Sequence, residues 1–404
     1  MLCQELIYYR HFTAYNIGME NKTYRRILRP SSKSFFLLGA RGTGKSTWIK
    51  AHFPEAKTFD LLDEGLYQSL LKDPSLFAGT LHTLPAGSWV AVDEIQRLPQ
   101  LLNEIHRFIE NRKLRFLLCG SSARKLKKAG TNLLAGRALK RVMHPFVPEE
   151  LGSDFSLEKA LTHGTIPLIW QAESKSDTLA AYTQLYLKEE IQAEAVVRNL
   201  PGFARFLPIA ALFHAQTLNV SNLAREAGVS RTTVHGYLQI LEDTLMAFRL
   251  PAFEGRLRVR ERKHPKFYWI DAGIVRALKG SFSPISREER GPLLEGWVAN
   301  LLRIYAEQGP LFDALHYWAP AEARRTEVDF LLQKGSRFLA LEVKSQERVD
   351  TESFLGLRAI RELKQIEKRV LVYTGKLAQR TPDGIDVFPV GDLLRRLETG
   401  TLWD

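Results

Sequence analysis

The sequence predicts an α/β protein with a parallel sheet, because three short apolar runs alternate with helical patterns between Ser34 and about Leu151. The runs are Phe35–Leu38, Trp89–Val92 and Phe116–Cys119. Each run is short and unbroken, as expected of a strand that is covered on both faces. Strands separated by helices favour parallel pairing.

The pattern changes twice further along the chain, so we expect three domains, at residues 1–175, 176–283 and 284–404. The middle part is helical, and no strand signal appears in it before about Glu254. The last part predicts an α/β module of normal domain size. Its predicted elements are, in order, helix Leu293–Glu307, strands Leu315–Trp318, Val328–Leu332 and Phe338–Val343, helix Phe354–Lys364 and strand Val370–Tyr373.

Composition and charge narrow the class of protein. The chain holds 57 Lys and Arg against 45 Asp and Glu, a formal charge of +12 that indicates a polyanionic partner, either nucleic acid or a membrane surface. Two cysteines, Cys3 and Cys119, exclude a disulfide framework and a cysteine-based zinc site, and favour the reducing cytoplasm. No apolar run approaches the roughly 20 residues that span a bilayer, and the N-terminus lacks the layout of a signal peptide.

A phosphate-binding loop is the most specific motif. The segment GARGTGKS at 39–46 matches G-x-x-x-x-G-K-[ST], follows the run Phe35–Leu38 and precedes a helical stretch, Thr47–Ala51. Its glycines let backbone N–H groups face the phosphates of ATP, while Lys45 adds a positive charge and the Ser46 hydroxyl is a candidate Mg²⁺ ligand. The predicted nucleotide-binding residues are Gly39, Gly42, Thr43, Gly44, Lys45, Ser46 and Thr47.

Two acids follow the second apolar run and predict the other half of this site. We expect Asp93 to complete the Mg²⁺ shell and Glu94 to orient or deprotonate the attacking water. Alternatively, the pair caps a helix at Ile95–Asn111, and capping does not exclude catalysis.

Two further polar residues extend the predicted catalytic set. Ser122, at the tip of the third strand, is placed to hydrogen-bond the water or the γ-phosphate. Arg137 precedes an apolar-basic strand, Leu139–Val142, and is a candidate to reach the γ-phosphate of a neighbouring subunit. A solvated or DNA-facing arginine is the alternative for Arg137.

Taken together, these landmarks resemble an AAA+ ATPase, and more narrowly the bacterial and archaeal AAA ATPases that carry a C-terminal domain of unknown function. The resemblance covers nearly the whole chain and implies nucleotide-dependent oligomers, often hexameric rings, without fixing the substrate. The segments that carry it are GARGTGKST (39–47), Phe59–Leu62 through Asp73 and Pro74, VDEIQRLPQLL (92–102), GSSARKLKKAGTNLLAGRA (120–138), YLKEEIQAEAVVRNLPGF (186–203) and GPLLEGWVANLL (291–302).

The middle part predicts a helix-turn-helix at 220–238, followed by a basic wing. Ser221 and Ser230 are the expected helix caps and Gly228 the turn, so that Arg231, Thr232 and His235 enter a major groove. A winged helix used only for packing is the alternative. A membrane is the poorer partner, because the basic clusters lack an apolar face. The wing would carry four arginines on one face of a strand: Arg256, Arg258, Arg260 and Arg262.

Acidic residues in the last part suggest a second site. Asp329 and Glu342 are candidate Mg²⁺ ligands, Lys344 shares a strand face with Glu342 and would steady the attacking hydroxide, and Glu295 adds an acid from a helix. This order resembles the PD-(D/E)xK restriction-endonuclease-like superfamily, with Val328 where proline is usual. The alternatives are common residues in a surface sheet, or a retained fold that binds DNA without cutting it.

The expected protein is therefore an AAA+ motor with a P-loop core, a helical lid bearing a winged helix-turn-helix, and a nuclease-like α/β domain. We expect ATP and Mg²⁺ as cofactors, a hexameric ring, and double-stranded or branched DNA as the partner, in translocation or branch migration during repair, recombination or mobile-element processing. The alternatives are an ATP-gated Mg²⁺-dependent nuclease and a DNA-binding ATPase switch without motor activity.

Overall fold

The computed structural model describes residues 22–122, 136–186, 200–254, 264–320, 326–363 and 365–404. The first part of the chain forms a sheet of parallel strands in the order β2-β3-β4-β1-β5, which confirms the predicted parallel pairing. Its strands are β1 (Phe35–Leu38), β2 (Lys57–Asp60), β3 (Trp89–Asp93), β4 (Arg115–Gly120) and β5 (Leu139–Val142).

Helices cover both faces of this sheet, because alternate strand residues point to opposite sides. Phe35 and Leu37 pack with Trp48 on one face, whereas Phe36 and Leu38 pack with Ile105 on the other. The helices of this part are α1 (Lys45–His52), α2 (Glu64–Lys72), α3 (Ser75–His82) and α4 (Leu101–Arg112). Edge strand β2 lacks an apolar run because only Phe59 in it is buried, so its sequence carries no strand signal.

The prediction of a continuous helix over Ile95–Asn111 is wrong for its first six residues. The chain forms a short 3-10 turn at Ile95–Arg97, and the α-helix begins only at Leu101. Pro99 explains the break, since proline disfavours helical geometry in the residue before it.

Residues 148–278 consist of short helices and a small antiparallel sheet in the order β6-β8-β7. In the structure we call this stretch the middle part, although it begins before the expected boundary at residue 176. Its strands β6 (Gln216–Thr217) and β7 (Ala247–Leu250) lie where no strand was expected; β6 is too short and β7 too mixed in composition to give a pattern. The elements are α5 (Pro148–Leu151), α6 (Leu157–His163), α7 (Pro167–Trp170), α8 (Lys175–Ala181), a π-helical turn (Tyr182–Tyr186), α9 (Leu200–Leu212), β6, α10 (Val220–Ala227), α11 (Arg231–Asp243), β7, β8 (Lys266–Trp269) and α12 (Ala272–Leu278).

The last part forms a mixed sheet in the order β13-β14-β12-β11-β10-β9 among the described residues. Helices α13 and α15 pack on one face and α14 on the other. The helix predicted at Phe354–Lys364 is broken into short pieces, of which α14 is the α-helical one. The elements are α13 (Arg287–Gln308), β9 (Ala314–Trp318), β10 (Val328–Lys334), β11 (Arg337–Lys344), α14 (Leu355–Ala359), β12 (Ile366–Tyr373), β13 (Gln379–Arg380), β14 (Asp386–Pro389) and α15 (Val390–Thr399).

One continuous cluster of buried apolar side chains joins the middle part to the last part. It runs from Phe206 through Trp269 and Leu294 to Leu339. Strand β8 lies at this junction, with α13 of the last part packed against it. Across the described ranges, no helix combines the length and the apolar character needed to cross a membrane.

Candidate nucleotide-binding site and acidic pocket

The phosphate loop has the backbone conformation that its glycines predict. Gly42 and Gly44 have φ angles of 77° and 87°, in the left-handed region that glycine adopts without steric cost. Helix α1 begins at Lys45, directly after Gly44. Because the first N–H groups of a helix have no intrahelical acceptor, the loop ends in a set of donors suited to phosphate.

Lys45 and Ser46 take up positions consistent with binding of ATP and Mg²⁺. The buried Lys45 ammonium donates to the carbonyl oxygens of Gly39 at 2.7 Å and Ala40 at 3.2 Å, and so lies inside the loop. The Ser46 hydroxyl donates to Asp93 Oδ2 at 2.8 Å. The two side chains predicted to hold Mg²⁺ therefore meet across β4, and both offer the oxygen ligands that this ion prefers.

Glu94 lies beside this pair in a strained backbone conformation. Its φ and ψ are 55° and 42°, left-handed values that cost a residue with a Cβ about 1–3 kcal/mol. The Gln96 amide donates to the Glu94 carboxylate and to Ser121 Oγ, the latter at 3.1 Å. Glu94 makes no side-chain capping hydrogen bond, so the interpretation of this acid as a helix cap is wrong.

The two outlying catalytic candidates lie in different places. Ser122 is fully buried at the end of β4, on the same edge of the sheet as the loop. Arg137 pairs with Glu110 and lies two residues before β5. The first residue of β5, Leu139, lies opposite Phe35, the first residue of β1. Arg137 therefore lies at the edge opposite its own phosphate loop, and its action on a neighbouring subunit stays a prediction.

Helices α10 and α11 are joined by the turn that the sequence predicts. Gly228 has a φ of 63°, and Ser230 Oγ accepts from Thr233 N at 3.1 Å, which confirms that cap. The cap predicted at Ser221 is wrong, because Asn219 caps α10 two residues earlier through Asn222 N at 3.1 Å. Arg231, Thr232 and His235 are exposed on α11. Arg256, Arg258, Arg260 and Arg262 lie outside the described residues.

The predicted acids of the last part surround a lysine from the middle part. The Lys266 ammonium lies 2.8 Å from Glu295 Oε1 and 3.2 Å from Asp329 Oδ1, and it also pairs with Glu327. Tyr268, on the same strand, donates to Glu295 Oε1 at 2.6 Å. We name Lys266, Glu295, Glu327, Asp329 and Glu342 the acidic pocket.

Two residues of the acidic pocket, Asp329 and Glu342, are hydrogen-bonded to each other, and Glu342 also contacts the neighbouring Lys344. Lys344 donates to Glu342 Oε1 at 2.5 Å, which confirms that the two share a face of β11. Asp329 Oδ2 accepts from Val343 N at 2.9 Å, and Glu342 Oε2 accepts from Asp329 N at 3.2 Å. The structure therefore brings all four predicted residues of this site together.

Burial governs the ionisation of the pocket. It raises the pKa of Glu295 to about 7 and that of Glu342 to about 8, and the negative charge of Asp329 adds to both shifts. Burial alone would lower the pKa of Lys266, but Glu295, Tyr268, Asp329 and Glu327 outweigh it and hold that pKa well above the usual value. The lysine is therefore a permanent cation at the centre of the pocket.

A divalent metal does not fit the pocket in this conformation. Of the two predicted ligands, Asp329 already contacts the Lys266 ammonium and Glu342 already pairs with Lys344; the third acid, Glu295, also contacts Lys266. Consistently, no group of three or more metal-binding side chains in the described ranges has the geometry to hold one.

Comparison with known proteins finds three family models that match successive parts of the chain. Residues 31–152 match the family model described as an AAA domain, a range that contains the phosphate loop, Asp93 and Glu94. Residues 154–284 and 290–393 match two domains of unknown function, DUF8612 and DUF4143. These matches support an AAA+ ATPase family with a C-terminal domain of unknown function.

Relatives of this chain include two curated proteins, both described as uncharacterized, from Mycobacterium bovis and Mycobacterium tuberculosis. Each is 26% identical over 371 residues, covering 89% of this chain and 80% of the relative.

The Orc1 protein of Aeropyrum pernix, solved in complex with DNA, aligns over 63% of this chain and 87% of its own at 14% identity and a TM-score of 0.22. Can2 from Sulfobacillus thermosulfidooxidans, solved with cyclic tetra-adenylate, aligns over 91% and 98% at 10% identity and a TM-score of 0.21. TM-scores this low establish no common overall fold.

Two functional candidates could not be predicted from the sequence. Gln96 follows the acidic pair at a distance of two residues, but nothing in a single sequence distinguishes it from an exposed helical glutamine. Lys266 is one basic residue in a basic region, and its partners lie 29 to 63 residues away on another sheet and helix. Only the tertiary structure brings these groups together.

Proposed function

We propose that this AAA ATPase hydrolyses ATP at the phosphate loop and uses the reaction to move along duplex or branched DNA. The observation that carries the proposal is the meeting of Ser46 with Asp93 beside Lys45 and Glu94. These are the groups that phosphoryl transfer to water requires, namely a phosphate cradle, oxygen ligands for the metal ion and a base.

The proposed reaction assigns a step to each residue. The loop amides and Lys45 bind the phosphates, with Lys45 exchanging the carbonyls of Gly39 and Ala40 for phosphate oxygens. Mg²⁺ held by Ser46 and Asp93 would neutralise charge on the phosphates. Glu94 takes a proton from water as the water oxygen bonds to the γ-phosphorus, and the bond from that phosphorus to ADP breaks.

We further propose that the site is completed between subunits of a ring, with Arg137 as the donor from the neighbour. Arg137 lies at the sheet edge opposite its own loop, so within one chain it serves no catalytic purpose. To act in a neighbour it exchanges Glu110 for the γ-phosphate, which offers the stronger charge-assisted contact.

Duplex DNA is the proposed partner because α11 presents polar side chains from a capped helix that follows a tight turn, and because the chain carries a charge of +12. These features support a helix-turn-helix with Arg231, Thr232 and His235 at its surface. The three-stranded sheet beside it is consistent with a winged form.

Replacing Arg231 with alanine should weaken binding to duplex DNA by about fivefold or more, as expected for loss of one arginine contact to a base edge or phosphate. Fluorescence anisotropy with a labelled duplex at several salt concentrations measures the effect. Arg395→Ala removes the same charge from an exposed helix at the other end of the chain and serves as the control. Equal loss in both variants would mean that α11 makes no specific contact.

For the C-terminal domain we propose a DNA clamp rather than a nuclease, and Lys266 is the supporting observation. Its ammonium lies against Glu295 and Asp329, where the metal ion that such hydrolysis needs would have to bind. The nuclease alternative is supported by one feature, the hydrogen bonds that join Asp329 to Glu342 and Glu342 to Lys344.

A plasmid assay separates clamp from nuclease. Supercoiled plasmid incubated with ATP and Mg²⁺ should stay uncut both by wild type and by Lys344→Ala. Cutting by wild type that Lys344→Ala lacks would replace the clamp with the nuclease. A DNA-binding switch without motor activity would instead show sequence-specific protection and no ATP-dependent displacement of a third strand from a triplex substrate.

A further inference from the structure

Three consecutive carbonyls of the phosphate loop are bound by groups that lie outside the parallel sheet. Arg41 O accepts from Tyr182 Oη at 3.0 Å, and Gly42 O accepts from Leu168 N at 3.1 Å. Thr43 O accepts from Arg26 Nη1 at 2.8 Å. These contacts hold the three carbonyls on the outside of the loop, away from the inside, where a phosphate would bind to backbone N–H groups.

Arg26 is itself held in a fixed position. Its Nε lies 2.9 Å from Glu150 Oε1, and the Arg26 and Glu150 side chains are 9% and 2% exposed. A second guanidinium nitrogen donates to His144 O at 2.5 Å, and the group lies over the ring of Phe146. The planar fork of arginine makes these contacts at once, which lysine cannot do.

Leu168 and Tyr182 connect the loop to the middle part of the chain. Leu168 lies so near the loop that a Cβ at Gly42 would come within 2.9 Å of Leu168 Cβ. Tyr182 is buried where α8 passes into the π-helical turn, and it packs in the cluster of the middle part with Met246. A shift of this region relative to the sheet would therefore pull directly on the loop backbone.

We propose that Arg26 and Tyr182 are positioning residues, which hold the phosphate loop in its nucleotide-binding conformation from outside the loop. The proposal rests on the proposed function, in that the loop must bind ATP. Tyr182 ties the loop to the middle part, and Arg26 ties it to the segment before β1. Neither residue needs to touch the nucleotide.

The decisive variant is Tyr182→Phe, which keeps the ring in the core and removes only the hydroxyl. Its matched control is Tyr373→Phe, which removes a buried tyrosine hydroxyl that donates to Leu377 O at 2.7 Å in the last part of the chain. The affinity for a fluorescent ATP analogue, KM and kcat are measured for both, together with thermal unfolding. Arg26→Lys is the second variant, since it keeps the charge without the fork.

Tyr182→Phe should bind the analogue about threefold to tenfold more weakly than wild type and raise KM with little change in kcat, as loss of one positioning hydrogen bond predicts. Tyr373→Phe should change affinity less than twofold. Arg26→Lys should weaken binding at least as much as Tyr182→Phe. Folded variants that bind like wild type would overturn the proposal, as would equal weakening by the control. If wild type itself binds no ATP, the proposed function fails first.

Discussion

Replacing Glu94 with glutamine should lower ATP turnover by about 100-fold or more while ATP still binds. Glutamine has the size of glutamate and keeps the contacts at this position, but its amide cannot accept a proton from water. Lys45, Ser46 and Asp93 stay in place, so the affinity for nucleotide and Mg²⁺ should change little. Steady-state phosphate release measures turnover, and a fluorescent ATP analogue measures binding.

Glu104→Gln is the control for this substitution, because Glu104 lies partly exposed on helix α4 and pairs there with Arg107. It should hydrolyse ATP at the wild-type rate. Wild-type turnover in Glu94→Gln would remove Glu94 from the role of base. Loss of binding together with turnover would instead make this residue part of the nucleotide-binding structure.

Replacing Lys266 with methionine should lower the free energy of unfolding by about 3–5 kcal/mol, the usual result of removing one partner from a buried ion pair. Methionine fills a similar volume, but it leaves Glu295, Glu327 and Asp329 without their counter-ion. Because the acidic pocket joins Lys266 of the middle part to acids of the last part, the substitution should destabilise the contact between the two parts. Urea unfolding followed by tryptophan fluorescence measures it.

The loss should depend on pH in a defined direction. The pKa of Glu295 is about 7 in the folded protein, against an ordinary value of 4.5. The stability that comes from its raised pKa is therefore fully present below about pH 4.5 and is lost as the pH rises through about 7. Protonated carboxyl groups need no counter-ion. Lys266→Met should therefore be closer to wild type in stability at about pH 5 than at about pH 8.

Lys72→Met removes an exposed lysine from the end of α2 and should leave stability nearly unchanged. The double variant Lys266→Met with Asp329→Asn should recover part of the lost stability, because one buried charge is then removed together with its partner. A Lys266→Met protein as stable as wild type at neutral pH would contradict the assignment of Lys266 as counter-ion of the pocket.

The sequence was sufficient for the nucleotide site because its chemistry depends on short motifs next to apolar strands. Gly39 to Gly44 form a loop between β1 and α1, and Asp93 ends β3. Because both strands pair in parallel with β4, Ser46 and Asp93 meet at the same edge of the sheet. The same reasoning placed Glu342 beside Lys344, since alternate residues of one strand share a face.

Features that depend on contacts distant in sequence were not predictable. Lys266 enters the acidic pocket from another sheet, and Tyr182 reaches Arg41 across 141 residues. Some predictions of local structure were also wrong, because two neighbouring residues suited the same role. Asn219 and Ser221 are both good caps, and only the folded backbone shows that α10 begins after the first of them.

The most direct test of the account is the rate of ATP hydrolysis by wild type and Lys45→Ala, each with and without duplex DNA. Removing the Lys45 ammonium takes the positive charge from the phosphate cradle and leaves the proposed DNA-binding residues of α11 in place. The account predicts Mg²⁺-dependent hydrolysis by wild type that duplex DNA stimulates, and none by Lys45→Ala. Equal rates in the two proteins, or a wild-type rate that DNA does not change, would contradict it.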